Sequence, residues 1–600
     1  MNFRSPIYTE KTQCQDCYKC IRECPVKAIR VENGHAAVVS ELCVLCGHCV
    51  TICPAGAKRV RDDQPRARQL LTLKPRVIAS LAPSFAAEFP GVPPAVLVSA
   101  IKQLGFFGVS ETAIGADLVS SRLAGDFAAI RARKTVLSDG IGQRLFLSSA
   151  CPVAVEYIKL YMSDLAPCIT DRASPLLAHA RFLKKLYGTD IGIVFIGPCV
   201  AKKRESDVWQ TIDCSISFQD LRDWFAEAGI DLPDGRTAPA KATPASRADA
   251  ETFIPFAAAK GALYPVDGGM IASIGKYPGG TDVRTMTATG LEGIEAALRG
   301  ITLDSLREPL FVELLACPGG CVNGPLAARG TAAAVRRMDL LEYAERALDT
   351  AGKADGPDLA GTLPAERVVR PAHGDEDIRQ ALRQVGKVSV HDELNCGSCG
   401  YDTCRFFAAA MLEGRAERTM CVSYMRKLAQ KKANGLIRAI PSGVVICDAD
   451  LKIIECNENF ARLMGPDAAL MFEAKPGMEG ADLAKLTAMA RFFRDVMESD
   501  GPDVVEREYR EGKKIYQATV FSIEKGDSAC GVVQDVTAPQ IRRDRVIKQT
   551  KRVIDKNLAV VQKIAFLLGE NAAETEATLN SIIESFSGDE SDERDEGAGR

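Results

Sequence analysis

Cys14-Gln15-Asp16-Cys17-Tyr18-Lys19-Cys20-Ile21-Arg22-Glu23-Cys24-Pro25 is repeated as Cys43-Val44-Leu45-Cys46-Gly47-His48-Cys49-Val50-Thr51-Ile52-Cys53-Pro54. Both runs have the spacing C-x2-C-x2-C-x3-C-P, which packs four thiols into eleven residues. Thiolates are the form of cysteine that binds iron, and a cubane [4Fe–4S] cluster takes four of them. Zinc is the competing metal, but structural zinc sites favour two separated C-x2-C pairs over one short run closed by proline. The repetition implies an internal pseudo-twofold. Working outward, 16 of the 21 cysteines fall into four groups of four. A chain that spends cysteine in this way moves electrons or senses them.

Composition narrows the setting. Six hundred residues exceed what one core holds, so several domains are expected. The hydrophobic share of 46% and charged share of 26% are those of an ordinary globular protein. A net charge of −3 offers nothing to nucleic acid or to an anionic membrane, and neither is expected as a partner. Met1-Asn2-Phe3-Arg4 leads into polar sequence without the apolar core of a secretory signal. The longest apolar stretches, around Val77–Ala87 and Pro90–Ala100, are interrupted too early to span a bilayer. A cytoplasmic location follows as the expectation, with cysteines serving as metal ligands rather than disulfides, in an organism suited to anaerobic life.

The doubled run resembles the bacterial two-cluster ferredoxins, in which the fourth cysteine of each half serves the other half's cluster. That resemblance implies one [4Fe–4S] cluster on Cys14, Cys17, Cys20 and Cys53, and a second on Cys43, Cys46, Cys49 and Cys24. His48, inside the second run, is read as a surface side chain.

From about Asp62 to Gly361 apolar strands alternate with helices, an α/β pattern. Val77–Leu81, Leu145–Ser148, Ile191–Ile196 and Leu310–Leu315 read as short buried strands, and three of them run into Cys-Pro or Gly-Pro-Cys. Cysteines at strand ends can converge even when far apart in sequence. The segments are Ser148-Ser149-Ala150-Cys151-Pro152, Gly197-Pro198-Cys199-Val200-Ala201-Lys202-Lys203-Arg204-Glu205, and Ala316-Cys317-Pro318-Gly319-Gly320-Cys321-Val322-Asn323-Gly324. They resemble, in order, the three signatures of [FeFe] hydrogenases: Thr-Ser-Cys-Cys-Pro, Met-Pro-Cys-x-x-Lys-Lys-x-Glu and Met-Ala-Cys-x-x-Gly-Cys-x-x-Gly-Gly-Gly. Ala82-Pro83-Ser84, Glu111-Thr112 and Gly115-Ala116-Asp117 add to the likeness, which covers about residues 1–350.

The resemblance implies an H-cluster, a cube bridged to a two-iron centre carrying CO, cyanide and a dithiolate. Cys151, Cys199, Cys317 and Cys321 would hold the cube, with Cys321 bridging to the two-iron unit. Lys202 would donate to an iron-bound cyanide, a charge-assisted bond, and Ala82 and Ser84 would line the pocket. A solvated basic turn is the plainer reading of the two lysines, more so for Lys203. Three departures matter. Ala150 stands where the family has a proton-carrying cysteine, Gly197 replaces a methionine, and the final glycine triplet is cut to Gly324-Pro325. Losing a positioned acid–base group costs about 10²–10⁴ in rate. The pattern favours slow turnover or sensing.

A charged, loop-like stretch from about Asp358 to Asp377 reads as a linker. Beyond it, Cys396, Cys399, Cys404 and Cys421 have the spacing C-x2-C-x4-C-x16-C. With Gly397, Gly400 and Tyr401 they resemble the small [4Fe–4S] domain of electron-bifurcating and corrinoid-linked proteins, zinc being the alternative. Residues from about Asn434 to Ala538 resemble a PAS domain, through Ile440–Asp448, Ile453–Cys456, Asn457–Phe460 and Val532–Thr537. No histidine lies beyond His391, so a histidine-ligated haem there is excluded. Cys168, Cys214, Cys447, Cys456 and Cys530 are read as inert core thiols. Residues 541–586 carry a heptad-like pattern that suits a dimerising coiled coil or a docked amphipathic helix. They lack the phosphoacceptor histidine of a kinase, so output would pass to a separate protein.

The expected architecture is multidomain α/β and α+β. Its parts are a two-[4Fe–4S] ferredoxin module (1–62), a hydrogenase-like H-cluster domain (63–361), a small [4Fe–4S] domain (378–430), a PAS domain (434–540), a helical segment (541–587) and an acidic tail (588–600). The leading expectation is a sensory-type homologue that reads dihydrogen or redox state. By analogy within the family, a kinase or phosphatase would be the signalling partner, ferredoxin or another redox protein the electron partner, and the PAS domain and C-terminal helices a possible homodimer contact. The alternatives are a working ferredoxin-linked hydrogenase and an electron-transfer scaffold of four cubanes without a two-iron centre.

Overall fold

The computed structural model of the protein describes residues 5–32, 34–132, 144–233, 252–302, 305–346, 356–362, 364, 371–498, 500–537, 552–554 and 556–557. The chain divides into two compact units, Met1–Cys421 and Val422–Arg600. Among the described residues no helix is long and apolar enough to cross a membrane.

The first unit opens with the two cysteine runs. Strand β1 (Ile7–Thr9) pairs antiparallel with β4 (Lys58–Val60), and β2 (Ile29–Glu32) pairs antiparallel with β3 (His35–Val38). Short helices α1 (Lys19–Arg22) and α2 (His48–Ile52) carry the third cysteine of each run and pack on each other. The loops feeding them turn through left-handed backbone at Asp16, Tyr18, Leu45 and Gly47. Left-handed non-glycine residues cost free energy and cluster where a loop must curl around something.

Beyond this module the chain builds two parallel sheets. One has the order β6 (Gly108–Glu111), β5 (Val77–Leu81), β8 (Gly192–Ile196), β9 (Cys214–Ile216). The other has the order β10 (Arg284–Thr289), β11 (Leu310–Leu315), β7 (Leu145–Leu147). Strands β5 and β8 are buried along their whole length, the signature of a parallel sheet covered on both faces. The carboxyl ends of β5, β7, β8 and β11 lead directly to Ala82, Cys151, Cys199 and Cys317. The candidate residues therefore emerge where parallel strands end, the place where α/β folds build sites.

Residues 358–362, where the expected linker overlaps the end of the expected 63–361 domain, belong to this central domain. The Leu359 side chain is buried in its core, and the Ala173 amide donates to the Leu359 carbonyl. The Arg181 guanidinium donates to the carbonyls of Asp358 and Ala360. One apolar residue in a polar run is enough to anchor it. The stretch also ends early, because Asp375–Gln384 is helix. That helix packs on Cys404–Leu412 to form the core of a small third module.

The second unit is a five-stranded antiparallel sheet in the order β13 (Ile453–Cys456), β12 (Gly443–Asp448), β16 (Ser528–Asp535), β15 (Lys514–Glu524), β14 (Val504–Glu511). Helices Glu458–Met464 and Ala490–Met497 close an apolar core that includes Phe460, Phe493 and Val520. The helix Val422–Ala439 leads into the sheet. Asn457 fastens this junction: its Oδ1 accepts from the amides of Val444 and Phe460, and its Nδ2 donates to the carbonyls of Ile437 and Ser442. Cys447, Cys456 and Cys530 are buried, and burial pushes each thiol up to about 12. Of the segment 541–586, the described residues 552–554 and 556–557 are helical; the rest of that segment and the tail lie outside the described residues.

Candidate metal centres

The structure brings the first two cysteine groups together as interleaved sets. Burial pushes the Cys20 thiol up to about 11, and the neighbouring Cys17, Cys14 and Cys53 push it the same way. Burial likewise raises Cys43 to about 12 and Cys46 to about 11, with Cys24 a shared neighbour. Cys49 is also held above its usual range by burial and by Cys46, Cys43 and Cys24. Cys24 therefore lies among the thiols of the second run and Cys53 beside those of the first, with α1 and α2 packed on each other. His48 is exposed.

The third group comes from three strand ends: Cys151 follows β7, Cys199 follows β8, and Cys317 and Cys321 both follow β11. Burial pushes Cys199 up to about 11, and Cys151 adds to the rise. Cys317 and Cys321 are raised further by burial, with the other thiols of the set adding to it. Thiolates packed this closely repel one another and are costly unless a metal cation displaces their protons and takes their charge. The donor set is all sulfur and fits an iron–sulfur cube. Beside it, Ala82 and Ser84 are buried, and the Ser84 hydroxyl has no hydrogen-bond partner among the described residues. An orphaned buried hydroxyl fits a pocket meant to be filled.

Lys202 and Lys203 are both buried, which overturns the solvated-turn reading. Lys203 is 2% exposed, donates to Asp63 Oδ2 at 3.2 Å and to the Ser215 carbonyl at 2.9 Å. Lys202 Nζ donates to Glu205 Oε2 at 2.5 Å and to Ser174 Oγ at 3.2 Å, and its charge opposes the rise of Cys199 and Cys321. Ser149, Ser174, Glu205 and Thr362 line a narrow crevice of about 10 Å³ next to Ala150 and Cys151. Glu156, on the helix after Cys151, is pushed up to about 7 by burial despite Arg204 beside it.

Two departures in the signatures have structural counterparts. A Cβ on Gly197 would lie 2.5 Å from Phe195 Cζ and 2.9 Å from Ala82 Cβ. The Phe195 ring occupies the space that a larger residue at 197 would need. Pro325, in place of a glycine, packs on Gly47 of the second cysteine run: a Cβ there would lie 2.5 Å from Pro325 Cβ. Cys46, next to Gly47, is close enough to Cys317 to raise its pKa. The Tyr161 hydroxyl donates to the Leu42 carbonyl at 2.5 Å, and Arg61 bridges Asp63 and Asp207. These contacts hold the dicluster module on the central domain.

In the small module Cys399 is raised by burial, with Cys421 and Cys404 as neighbours. Cys396 is exposed, and hydrogen bonds from Ser398 hold its thiol below the usual range. Asn395 Oδ1 accepts from the Cys404 amide at 2.8 Å, which fixes the loop to its helix. This module sits against residues 18–27 of the dicluster module. A Cβ on Gly400 would lie 2.4 Å from Arg22 Cα, the Arg415 guanidinium donates to the Lys27 carbonyl at 3.4 Å, and Tyr18 bonds Thr419.

Residues 75–325 match the family model described as iron only hydrogenase large subunit, C-terminal domain. The chain carries an [FeFe] hydrogenase domain. Residues 6–54 match a 4Fe-4S dicluster domain, 392–423 a putative Fe-S cluster domain and 432–499 a PAS domain. Among curated proteins the chain is 26% identical over 381 residues to the periplasmic [Fe] hydrogenase large subunit of Nitratidesulfovibrio vulgaris, covering 53% of this chain and 85% of that one. It is 25% identical over 386 residues to the NADP-reducing hydrogenase subunit HndD of Solidesulfovibrio fructosivorans, covering 53% and 64%. It is also 24% identical over 409 residues to the nuclear prelamin A recognition factor of Xenopus laevis, covering 56% and 88%. An [FeFe] hydrogenase structure from Chlamydomonas reinhardtii aligns at 18% identity and a TM-score of 0.35, over 46% of this chain and 88% of that one.

Proposed function

We propose that this iron–sulfur protein reads dihydrogen, or the redox state of its electron donors, at the hydrogenase domain and reports it through the PAS domain, with slow reversible dihydrogen oxidation. Cys151, Cys199, Cys317 and Cys321 would hold the cube of an H-cluster, with Cys321 the ligand that would also serve its two-iron unit. When bound, that unit supplies the metal that splits or forms dihydrogen. The chain's own residues bind and orient it: Lys202 presents a buried ammonium steered by Glu205, Ser84 offers its free hydroxyl, and Ala82 and Phe195 form the apolar wall.

The observation that carries the slow-turnover reading is Ala150. A methyl group holds no proton, so none passes through position 150. Proton supply then rests on the polar groups of Ser149, Ser174 and Glu205, which line the narrow crevice beside position 150. Four [4Fe–4S] clusters in total serve the chain. The Cys46 loop against Pro325 supports electron passage between the hydrogenase domain and the cluster of Cys24, Cys43, Cys46 and Cys49. The contacts at Arg22 and Lys27 support onward passage to the cluster of Cys396, Cys399, Cys404 and Cys421. Cys421 immediately precedes the helix that leads into the PAS sheet, so this last cluster shares a backbone with the signalling unit. A ferredoxin-type donor and a separate signalling protein complete the scheme.

Restoring the acid tests it. Ala150→Cys is expected to raise dihydrogen turnover by about 10²–10⁴. High native turnover that barely responds to the substitution contradicts the sensing role and favours a flux enzyme.

A further inference from the structure

Lys58 is the fifth residue after Cys53, and its counterpart in the first half of the repeat, five after Cys24, is Ile29. The two halves otherwise match here: Pro25 and Pro54 follow the cysteines, Lys27 and Gly56 both take left-handed backbone, and Ala28 and Ala57 are both buried. Ile29 is 2% exposed and Lys58 is 3% exposed. An ammonium therefore occupies a core position where the sister half places a branched hydrocarbon.

Its partners do not neutralise it. Lys58 Nζ donates to Thr9 Oγ1 at 2.6 Å and to the Ala36 carbonyl at 2.9 Å, both uncharged. An ammonium has three donors and this one spends two. Among the described residues no carboxylate pairs with it. A buried cation without an anion costs several kcal/mol, and chains keep such groups when an anion is supplied. Thiols of both cysteine runs lie within reach of its charge. Its charge counteracts the burial-driven rise of Cys20, from one interleaved set, and of Cys49, from the other. Strand β4, which carries Lys58, packs against α2, which carries Cys49, and α2 packs on α1, which carries Cys20.

We propose that Lys58 is a fixed positive charge shared by both clusters of the dicluster module, and that it raises the reduction potential of each. The clusters with their thiolates are the anion that the buried ammonium lacks. Each gains negative charge on reduction, so a nearby cation stabilises the reduced form. One residue thus keeps the two halves poised together as electron acceptors. The inference rests on the assignment of the N-terminal cysteines as cluster ligands and is independent of any sensing role.

The test is an EPR-monitored potentiometric titration of the full chain with its clusters in place, comparing the native protein with Lys58→Met, Lys58→Gln and Lys58→Arg. Lys58→Met keeps the volume and removes the charge, and Lys58→Gln also keeps hydrogen bonding. In both, the reduced-to-oxidised ratio of each N-terminal cluster at a fixed potential is expected to fall about tenfold, equivalent to about 59 mV for one electron. Lys58→Arg is expected to stay close to native. Unchanged potentials in the neutral variants, with native iron content and EPR signals, overturn the proposal while leaving the ligand assignment intact. Should the neutral variants fail to take up iron while Lys58→Arg takes it up normally, the charge is confirmed as the clusters' counter-ion. Failure of all three assigns Lys58 to packing alone and also overturns it.

Discussion

Gly47→Ala tests whether the contact between the dicluster module and the hydrogenase domain is as tight as the structure draws it. Gly47 has a φ of +76°, where an L side chain costs about 1–2 kcal/mol. The new methyl would lie 2.5 Å from Pro325 Cβ, 2.6 Å from Pro325 Cγ and 3.4 Å from Val200 Cγ2. Proline has no flexible end to swing aside, so the overlap must be relieved by moving a loop, at about 1–3 kcal/mol for overpacking. The two effects together amount to roughly 2–5 kcal/mol against the docked arrangement. They separate in a double-mutant cycle with Pro325→Gly, which deletes both clashing atoms but leaves the backbone strain. Denaturant-induced loss of cluster absorbance gives the stabilities, and the magnetic interaction between the reduced Cys46-side cluster and the hydrogenase-domain cube reports the docking. Gly47→Ala is expected to weaken both, and Gly47→Ala with Pro325→Gly to recover the overpacking share. A neutral Gly47→Ala, or a double variant no better than the single, refutes the argument.

Further expectations concern other parts of the chain. Gly400→Ala places a methyl 2.4 Å from the Arg22 backbone, so the small module should keep its iron yet no longer be reduced in step with the dicluster module. Gly397→Ala is the control, since it shares the left-handed strain but meets nothing within 4 Å. His179 is fully buried between Ser80 Oγ and Ser110 Oγ, both at 2.8 Å, and burial lowers its pKa from 6.5 to about 3. The unfolded chain therefore binds a proton that the folded chain refuses. The contribution of His179 to stability is complete above about pH 6.5 and is lost progressively as pH falls toward 3, a change of several kcal/mol by linkage. Urea midpoints measured across that window should show the slope in the native protein and a shallower one in His179→Gln.

The cysteine groups were legible because metal ligation writes itself as spacing, and the strands leading to Ala82, Cys151, Cys199 and Cys317 were legible because parallel strands buried on both faces read as unbroken apolar runs. What sequence could not show is long-range pairing. Lys203 reads as part of a solvated Lys-Lys-Arg turn because its partner, Asp63, lies 140 residues away. Gly197 and Pro325 read as losses from the signatures, whereas each is matched to a neighbour, Phe195 in one case and Gly47 in the other. The linker reading failed at Leu359 because a single buried side chain decides a run of polar composition. Lys58 had a signal that an alignment of the two halves of the repeat exposes, an ammonium opposite isoleucine, but its meaning needed the packing that buries it.

The central claim is that the hydrogenase domain holds a two-iron unit that responds to dihydrogen. The most direct measurement is the infrared spectrum of the full chain, matured anaerobically with the two-iron precursor, under argon and then under dihydrogen. The account predicts bands from iron-bound CO and cyanide that shift when dihydrogen is admitted. Iron sufficient for four cubanes with no such bands contradicts it, and leaves an electron relay built on a hydrogenase fold.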